Sequence, residues 1–251
     1  MALTLFPKHC LRALSRTPVS AMSMGGTWIQ KAEYKNFPKP PSYEHITIPK
    51  ERQKLRFLEK VPQYPPGVRA PKMTRRIDLI QGEEEIQRDL LHGQYAIIAK
   101  RGGMLKWGHI EMIRMGIARK INTKKMFAVW RIDSPWLPRT KRGQGKRMGG
   151  GKGSIDHYVT PVRAERIIIE VGGKCSFEEV YPFMKMIAEK LPFPAKVVSK
   201  EMLEAERAEE ERLERENINP FTFKYIIQNN MTGCQIWLKD VDRKYFGKYP
   251  A

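Results

Sequence analysis

The sequence is poor in cysteine: its 251 residues hold three, Cys10, Cys175 and Cys234, far apart and with no Cys-x-x-Cys pair. An odd, scattered set supports neither a disulfide framework nor a zinc site, so a reducing or disulfide-free compartment is expected. Long apolar runs are missing too. The longest, at Tyr95–Ala99 and 167–169, fall far short of the ~20 residues of a membrane span, which limits any membrane role to peripheral contact. Acidic residues are scarce: 27 Asp and Glu stand against 46 Lys and Arg, a formal charge of +19. That excess points to nucleic acid first and an anionic membrane surface second. A hydrophobic content of 41% is enough for a core but slightly below the globular norm, which favours a core with extensions.

Catalytic motifs are equally hard to find. The five histidines (His9, His45, His92, His109, His157) form no ligand spacing, and no metal site is expected. A P-loop would need a glycine where Lys146 stands and a Ser or Thr where Gly153 stands. A Rossmann pattern starting at Gly143-x-Gly145 meets Met148 in place of its third glycine. His109-Ile110-Glu111 is half of a zinc-deaminase signature, but no Pro-Cys-x-x-Cys follows it. Asp156 and His157 are adjacent on a strand pattern and should point to opposite faces, so they are not expected to share a site. No nucleophile, base and orienting group converge, and neither an enzyme nor a cofactor is expected.

What is present is a loop, Arg139 to Gly153, reading RTKRGQGKRMGGGKG. It carries six cations (Arg139, Lys141, Arg142, Lys146, Arg147, Lys152), six glycines and no carboxylate. The cations attract phosphate, while Gly149, Gly151 and Gly153 let the backbone approach a ligand and offer N–H groups to an anion. A solvated flexible loop is the bland alternative; strand patterns on both sides, which would hold its base, favour the nucleic-acid surface. Six phosphate contacts would give a log–log salt slope on the order of −5. A second cationic patch is expected from Arg114, Arg119, Lys120, Lys124 and Lys125, each of them also readable as ordinary surface charge. Trp107 and Trp136 are read as core residues in preference to base-stacking platforms. Met104, Met112 and Met115 read as core filler.

Along the chain, no acidic residue precedes Glu33, and Lys8, Arg12 and Arg16 share one helical face opposite Leu3, Phe6, Cys10 and Leu14. Residues 1–30 therefore read as a mitochondrial presequence. Residues 31–72, with eight prolines between Pro38 and Pro71, form an extended arm expected to order only against a partner, with a short helix within 50–60. The compact part spans 73–200. Strands are predicted at 94–99, 126–132, 157–162, 166–171 and 195–199, and helices at 109–120 and from Ser176 to about Leu191. The third and fourth strands should pair as a hairpin across Arg163–Glu165. Ser176 and Glu179 form a capping box, and Pro182 should kink the helix they open. The fold class is α+β: a small sandwich of a mixed or antiparallel sheet with two helices, plus extended N- and C-terminal extensions. Residues 201–251 add a charged helix of eight Glu and three Arg to Glu216, read as solvated, and an aromatic tail that must pack on something.

Arg147-Met148-Gly149-Gly150-Gly151-Lys152-Gly153, followed by Asp156-His157-Tyr158-Val159, resembles the bacterial large-subunit ribosomal protein L-sixteen family. Further matches are the helix at Ile110 to Lys120, the run RIIIEVGG at 166–173, and Lys190-Leu191-Pro192 leading into Lys196-Val197-Val198. The likeness covers about Gly93 to Lys200. Gly150 stands where bacterial members usually carry lysine, which removes one phosphate contact. The resemblance implies an α+β core bound to large-subunit rRNA near the peptidyl-transferase centre, with A-site tRNA nearby and an architectural rather than catalytic role. It also marks Arg147 as the position hydroxylated in some bacterial relatives. The extensions and the presequence point to the mitochondrial version, in the mitochondrial matrix, with neighbouring mitochondrial ribosomal proteins as partners. Two rivals remain: an RNA-modifying enzyme accessory, which lacks a cofactor motif, and a basic peripheral membrane protein, which lacks an anchoring amphipathic helix outside the N-terminus.

Overall fold

The protein is described by a computed structural model covering residues 41–50, 52–69 and 77–249. The presequence, the start of the arm, and residues 51 and 70–76 lie outside the described residues. The chain divides into two units, Met1–Pro41 and Ser42–Ala251, and every element below belongs to the second. The architecture is α+β, as expected, but it is built on two antiparallel sheets. One has the order β3-β6-β1-β7, from Met126–Trp130, Ile167–Gly173, Tyr95–Ala99 and Ala195–Ser199. The other has the order β2-β5-β4, from Gly103–Lys106, Ser154–Val162 and Leu137–Lys141.

Apolar residues that alternate along β1 serve two clusters. Ile97 and Ala99 face the main core, while Ala96 and Ile98 join Ile167 and Val198 on the other side. Burial on both faces explains why β1 and β6 read as near-continuous apolar runs. Helix α1 (Trp107–Lys120) buries Ile110, Ile113 and Ile117, one stripe at helical spacing. Helix α2 (Phe177–Glu189) starts at Ser176, whose hydroxyl accepts the Glu179 N–H at 3.4 Å. It buries Val180, Phe183, Met184, Ile187 and Ala188, and it continues past Pro182 to Glu189. The two helices pack on each other, α2 also on β1 and β7. Ile113 is fully buried in the main core, so its truncation to alanine would cost about 2–5 kcal/mol.

Three expectations are corrected. The strands on either side of Arg163–Glu165 are not a hairpin: β5 pairs with β2 and β4, whereas β6 pairs with β1 and β3. The link crosses between the sheets because its backbone groups are engaged elsewhere. Ala164 exchanges hydrogen bonds with Gly82 and Glu84, and the Glu165 N–H donates to Ala99 at 2.7 Å.

The helix within 50–60 does not form either. Residues 52–60 hold no helix or strand and bend at 53–54 and at 60, with Leu55 and Leu58 buried in the main core. Their carbonyls serve the core instead of a helix. Gln53 accepts from the Ala128 N–H at 2.9 Å, Arg56 from Trp130 Nε1 at 2.8 Å, and Leu58 from Trp107 Nε1 at 3.0 Å. This part of the arm thus orders against its own core, not against a partner, because two leucines and three carbonyls anchor it.

The C-terminal helix α3 (Lys200–Glu216) has no buried residue, as a solvated helix should. It is nevertheless tied down. Leu203 packs on the second cluster, Glu206 pairs with Lys196, and Arg207 reaches Asp89 at 2.7 Å. Beyond it come α4 (Phe223–Gln228), a 3₁₀ segment (Met231–Ile236) and α5 (Asp240–Tyr245). Of the aromatic tail, Tyr249 is buried and its hydroxyl donates to Glu165 at 2.6 Å, whereas Phe221, Phe223, Tyr225 and Trp237 are exposed.

Candidate nucleic-acid interface

The cationic segment is a β-hairpin rather than a loop throughout. Arg139 and Lys141 lie on β4, and the connection to β5 spans 142–153. Arg139 is half-buried, with its guanidinium against Met104 Sδ, so it serves the sheet as well as the surface. Lys141, Arg142, Lys146, Arg147 and Lys152 are exposed. The Arg142 guanidinium donates to the Lys146 backbone carbonyl, which ties the two ends of the 142–146 turn together. No carboxylate makes a salt bridge with Lys141, Arg142, Lys146 or Arg147 among the described residues, so their charge is available to an outside anion.

The glycines divide into two kinds. Gly149 and Gly151 hold φ of 85° and 86°, a left-handed backbone that disfavours side chains, and a Cβ on either would point into open space. That leaves their N–H groups approachable by a ligand. Gly153 acts differently: a Cβ there would overlap the Lys141 carbonyl, so this glycine lets the two strands of the hairpin close on each other. Gly153 thus holds the hairpin shut, whatever its part in approaching a ligand.

The second patch changes composition. Arg114 is already taken by Glu111, through Nε–Oε2 at 2.9 Å and Nη2–Oε1 at 2.5 Å. This bond holds the Glu111 carboxyl below its ordinary range. Arg119 and Lys120 in the last turn of α1, and Lys124 and Lys125 in the turn to β3, remain exposed. No run or spacing in the sequence shows that the arm joins them. Arg52, Lys54 and Arg56 line a cleft with Thr123, so arm and turn form one cationic edge. This edge leads into β3 of the four-stranded sheet, whereas the hairpin belongs to the three-stranded one.

The base of the hairpin holds a further correction. Asp156 Oδ2 and His157 Nδ1 are 2.7 Å apart, although adjacent strand residues should diverge. The register explains it: Arg139 pairs with His157 and Thr140 with Ile155, so Asp156 is the extra residue of a β-bulge. A bulge re-aims side chains and lets both neighbours face one side. The Asp156 carboxyl is held below its usual range, first by the hydrogen bond from His157 and then by the charges of His157, Lys141 and Lys106.

Neither Trp107 nor Trp136 is a buried core residue: Trp107 is half-buried and Trp136 is 38% exposed. The core has its aromatic donors satisfied from the arm, which holds Trp107 at the surface through its indole N–H. Met112 packs on the core as expected, whereas Met115 is exposed. At the N-terminus of α1, His109 Nδ1 accepts the Lys106 N–H at 3.1 Å. Burial, followed by the Lys106 charge, lowers the His109 pKa, in keeping with a neutral ring that accepts. Cys175 is buried and its thiol is pushed up to about 11, mainly by desolvation, which leaves it unreactive. Among the described residues no three His, Cys, Asp or Glu come together to hold a metal, and no helix is long and apolar enough to cross a membrane.

An α+β core that presents a carboxylate-free, glycine-rich cationic hairpin has the make-up of a nucleic-acid-binding protein. Comparison with known proteins agrees. Residues 65–198 match the model of the family Ribosomal protein L16p/L10e, just over half of the chain. The chain is 33% identical over 131 residues to the large ribosomal subunit protein uL16 of Levilactobacillus brevis, covering 52% of this chain and 89% of that protein. It is 29% identical over 120 residues to the uL16 of Acholeplasma laidlawii, covering 48% of this chain and 85% of that protein. The uL16 of Phytoplasma australiense is 31% identical over 121 residues. The chain belongs to the L16p/L10e family of ribosomal proteins.

Proposed function

We propose that the protein is a non-catalytic, rRNA-binding constituent of the large ribosomal subunit of mitochondria. In this reading the exposed cations of the β4–β5 hairpin neutralise rRNA phosphates while the backbone at Gly149 and Gly151 comes close to the chain it binds. Arg119, Lys120, Lys124 and Lys125, joined by the arm, make a second contact, and Arg114 takes little part because Glu111 already satisfies it. The observation that carries the proposal is the hairpin itself: Lys141, Arg142, Lys146 and Arg147 are exposed and make no salt bridge among the described residues. Placement near the peptidyl-transferase centre and A-site tRNA follows from the family resemblance, and the relatives are named as large-subunit proteins. Mitochondrial placement rests on the acid-free, amphipathic composition of residues 1–30. Protein neighbours in that subunit are the remaining expected partners.

The test is sedimentation of a mitochondrial lysate through a high-salt gradient, with and without ribonuclease. The proposal predicts co-migration with the large subunit, abolished by ribonuclease. Migration as a small free protein, unchanged by ribonuclease, would return the enzyme and membrane alternatives.

A further inference from the structure

A groove of about 510 Å³ opens beside the hairpin, lined by Lys60 and Val61 of the arm, Lys106, Trp107 and Gly108 at the β2–α1 junction, and Ile155–Tyr158 of β5. Its volume falls in the ~300–1,000 Å³ range of ligand clefts. Three separate stretches of chain build it. The arm is held there by the Trp107 indole N–H on the Leu58 carbonyl, and β5 is held by its pairing with β2. The chemistry of the lining is mixed in a particular way. Trp107 and Tyr158 offer aromatic surface, and Lys60 and Lys106 are exposed cations. Lys60 Nζ stands 5.9 Å from the centre of the Trp107 ring, so charge and ring surface are adjacent. The single carboxylate, Asp156, is already paired with His157 and lies in the field of Lys106 and Lys141. Lys141 belongs to the cationic hairpin, so groove and hairpin form one continuous surface. A fully apolar ligand would leave the two lysines without use, and a bare anion would leave the rings without use.

We propose that this groove receives one unstacked nucleotide of the bound RNA, its base against Trp107 and Tyr158 and its phosphate on Lys60 and Lys106. Asp156 then accepts a hydrogen bond from an exocyclic amino group or ring N–H of that base, as acidic side chains do at base edges. Ring stacking of this kind tolerates any base, because every base has a π-face. The proposal rests on the RNA-binding reading given above and adds to it a single-nucleotide site.

Gly108 makes a clean probe. A Cβ at this helical position would meet no protein atom within 4 Å, so Gly108→Ala should fold normally while narrowing the groove. The experiment measures binding of the full chain to three RNA duplexes of one sequence: fully paired, with a one-nucleotide bulge, and with an abasic residue at the bulge. The expected result is about tenfold tighter binding of the bulged duplex than of either control. Gly108→Ala should lose that preference and keep its affinity for the paired duplex, whereas the double variant Lys60→Ala/Lys106→Ala should lose the preference and bind all three duplexes more weakly. Equal binding of all three duplexes by the unaltered chain, or a preference that survives both variants, would overturn the nucleotide site and leave the RNA-binding reading intact. Absence of salt-sensitive binding to any duplex would overturn both.

Discussion

The hairpin at 139–153 and helix α3 at 200–216 are the two most charged stretches of the chain, with opposite signs and opposite relations to the protein. The hairpin has six cations and no carboxylate, while α3 has eight Glu against three Arg. Helix α3 offsets part of its acidic charge within the fold. Glu206 pairs with Lys196, Glu210 with Lys248 at 2.9 Å, and Arg212 lies 3.8 Å from both Glu209 and Glu216. The exposed hairpin cations other than Lys152 make no salt bridge among the described residues. Charge density alone therefore does not mark a binding surface. In the proposed reading, charge that the fold leaves without a salt bridge does.

The largest expected effect comes from removing that uncompensated charge. Arg142→Ala/Lys146→Ala/Arg147→Ala should reduce the log–log salt slope of RNA binding by about 3 and weaken binding at low salt. Converting Glu209, Glu211 and Glu214 of α3 to Gln should leave the slope unchanged. Filter-binding titrations over a salt series measure both, and equal changes in the two variants would break the comparison. Next in size is Gly153→Ala, which forces β4 and β5 apart at the Lys141 carbonyl. It should cost about 1–3 kcal/mol in thermal unfolding and weaken RNA binding without changing the protein's charge. Removing the Tyr249 hydroxyl by Tyr249→Phe leaves Glu165 without its 2.6 Å donor and should cost about 1 kcal/mol. On α3 itself, Glu206→Ala breaks a surface pair and should cost less than ~1 kcal/mol.

The smallest effect is a pH dependence at His109. Its folded pKa lies below the unfolded value near 6.5, so the folded state disfavours protonation. The associated stability is present above about pH 6.5 and lost as the pH falls through the folded pKa, because a charged ring no longer accepts the Lys106 N–H. Melting temperatures between pH 7.5 and 5.5 should fall more for the unaltered chain than for His109→Gln. An equal fall would remove His109 as the cause.

Much of the core was legible because its signals are local. The apolar stripe Ile110, Ile113, Ile117, the Ser176 cap and the β-rich runs at 95–99 and 126–130 each sit inside one element. What escaped needs distant partners. Strand β2 is four residues long and β4 reads LPRTK, with a proline and two cations, so neither carries an apolar alternation of its own. The two sheets could not be told apart because β5 and β6 follow one another like a hairpin, and only the backbone bonds of Ala164 and Glu165 send them into different sheets. Residues 52–60 look like a short basic helix until Leu55 and Leu58 find the core. The same holds at the interface. The six hairpin cations are visible as a run, whereas the groove needs Lys60, Trp107 and Tyr158 from three stretches, and the Asp156–His157 pair needs a bulge that alternation rules do not foresee.

The central claim is that uncompensated charge on the β4–β5 hairpin marks the RNA-binding surface. Ultraviolet crosslinking of intact large subunits, followed by mass spectrometry of the crosslinked peptides, tests it most directly. The account predicts nucleotide adducts within residues 139–153, and none on α3. Adducts absent from that hairpin, in subunits where other segments of this chain crosslink well, would contradict it.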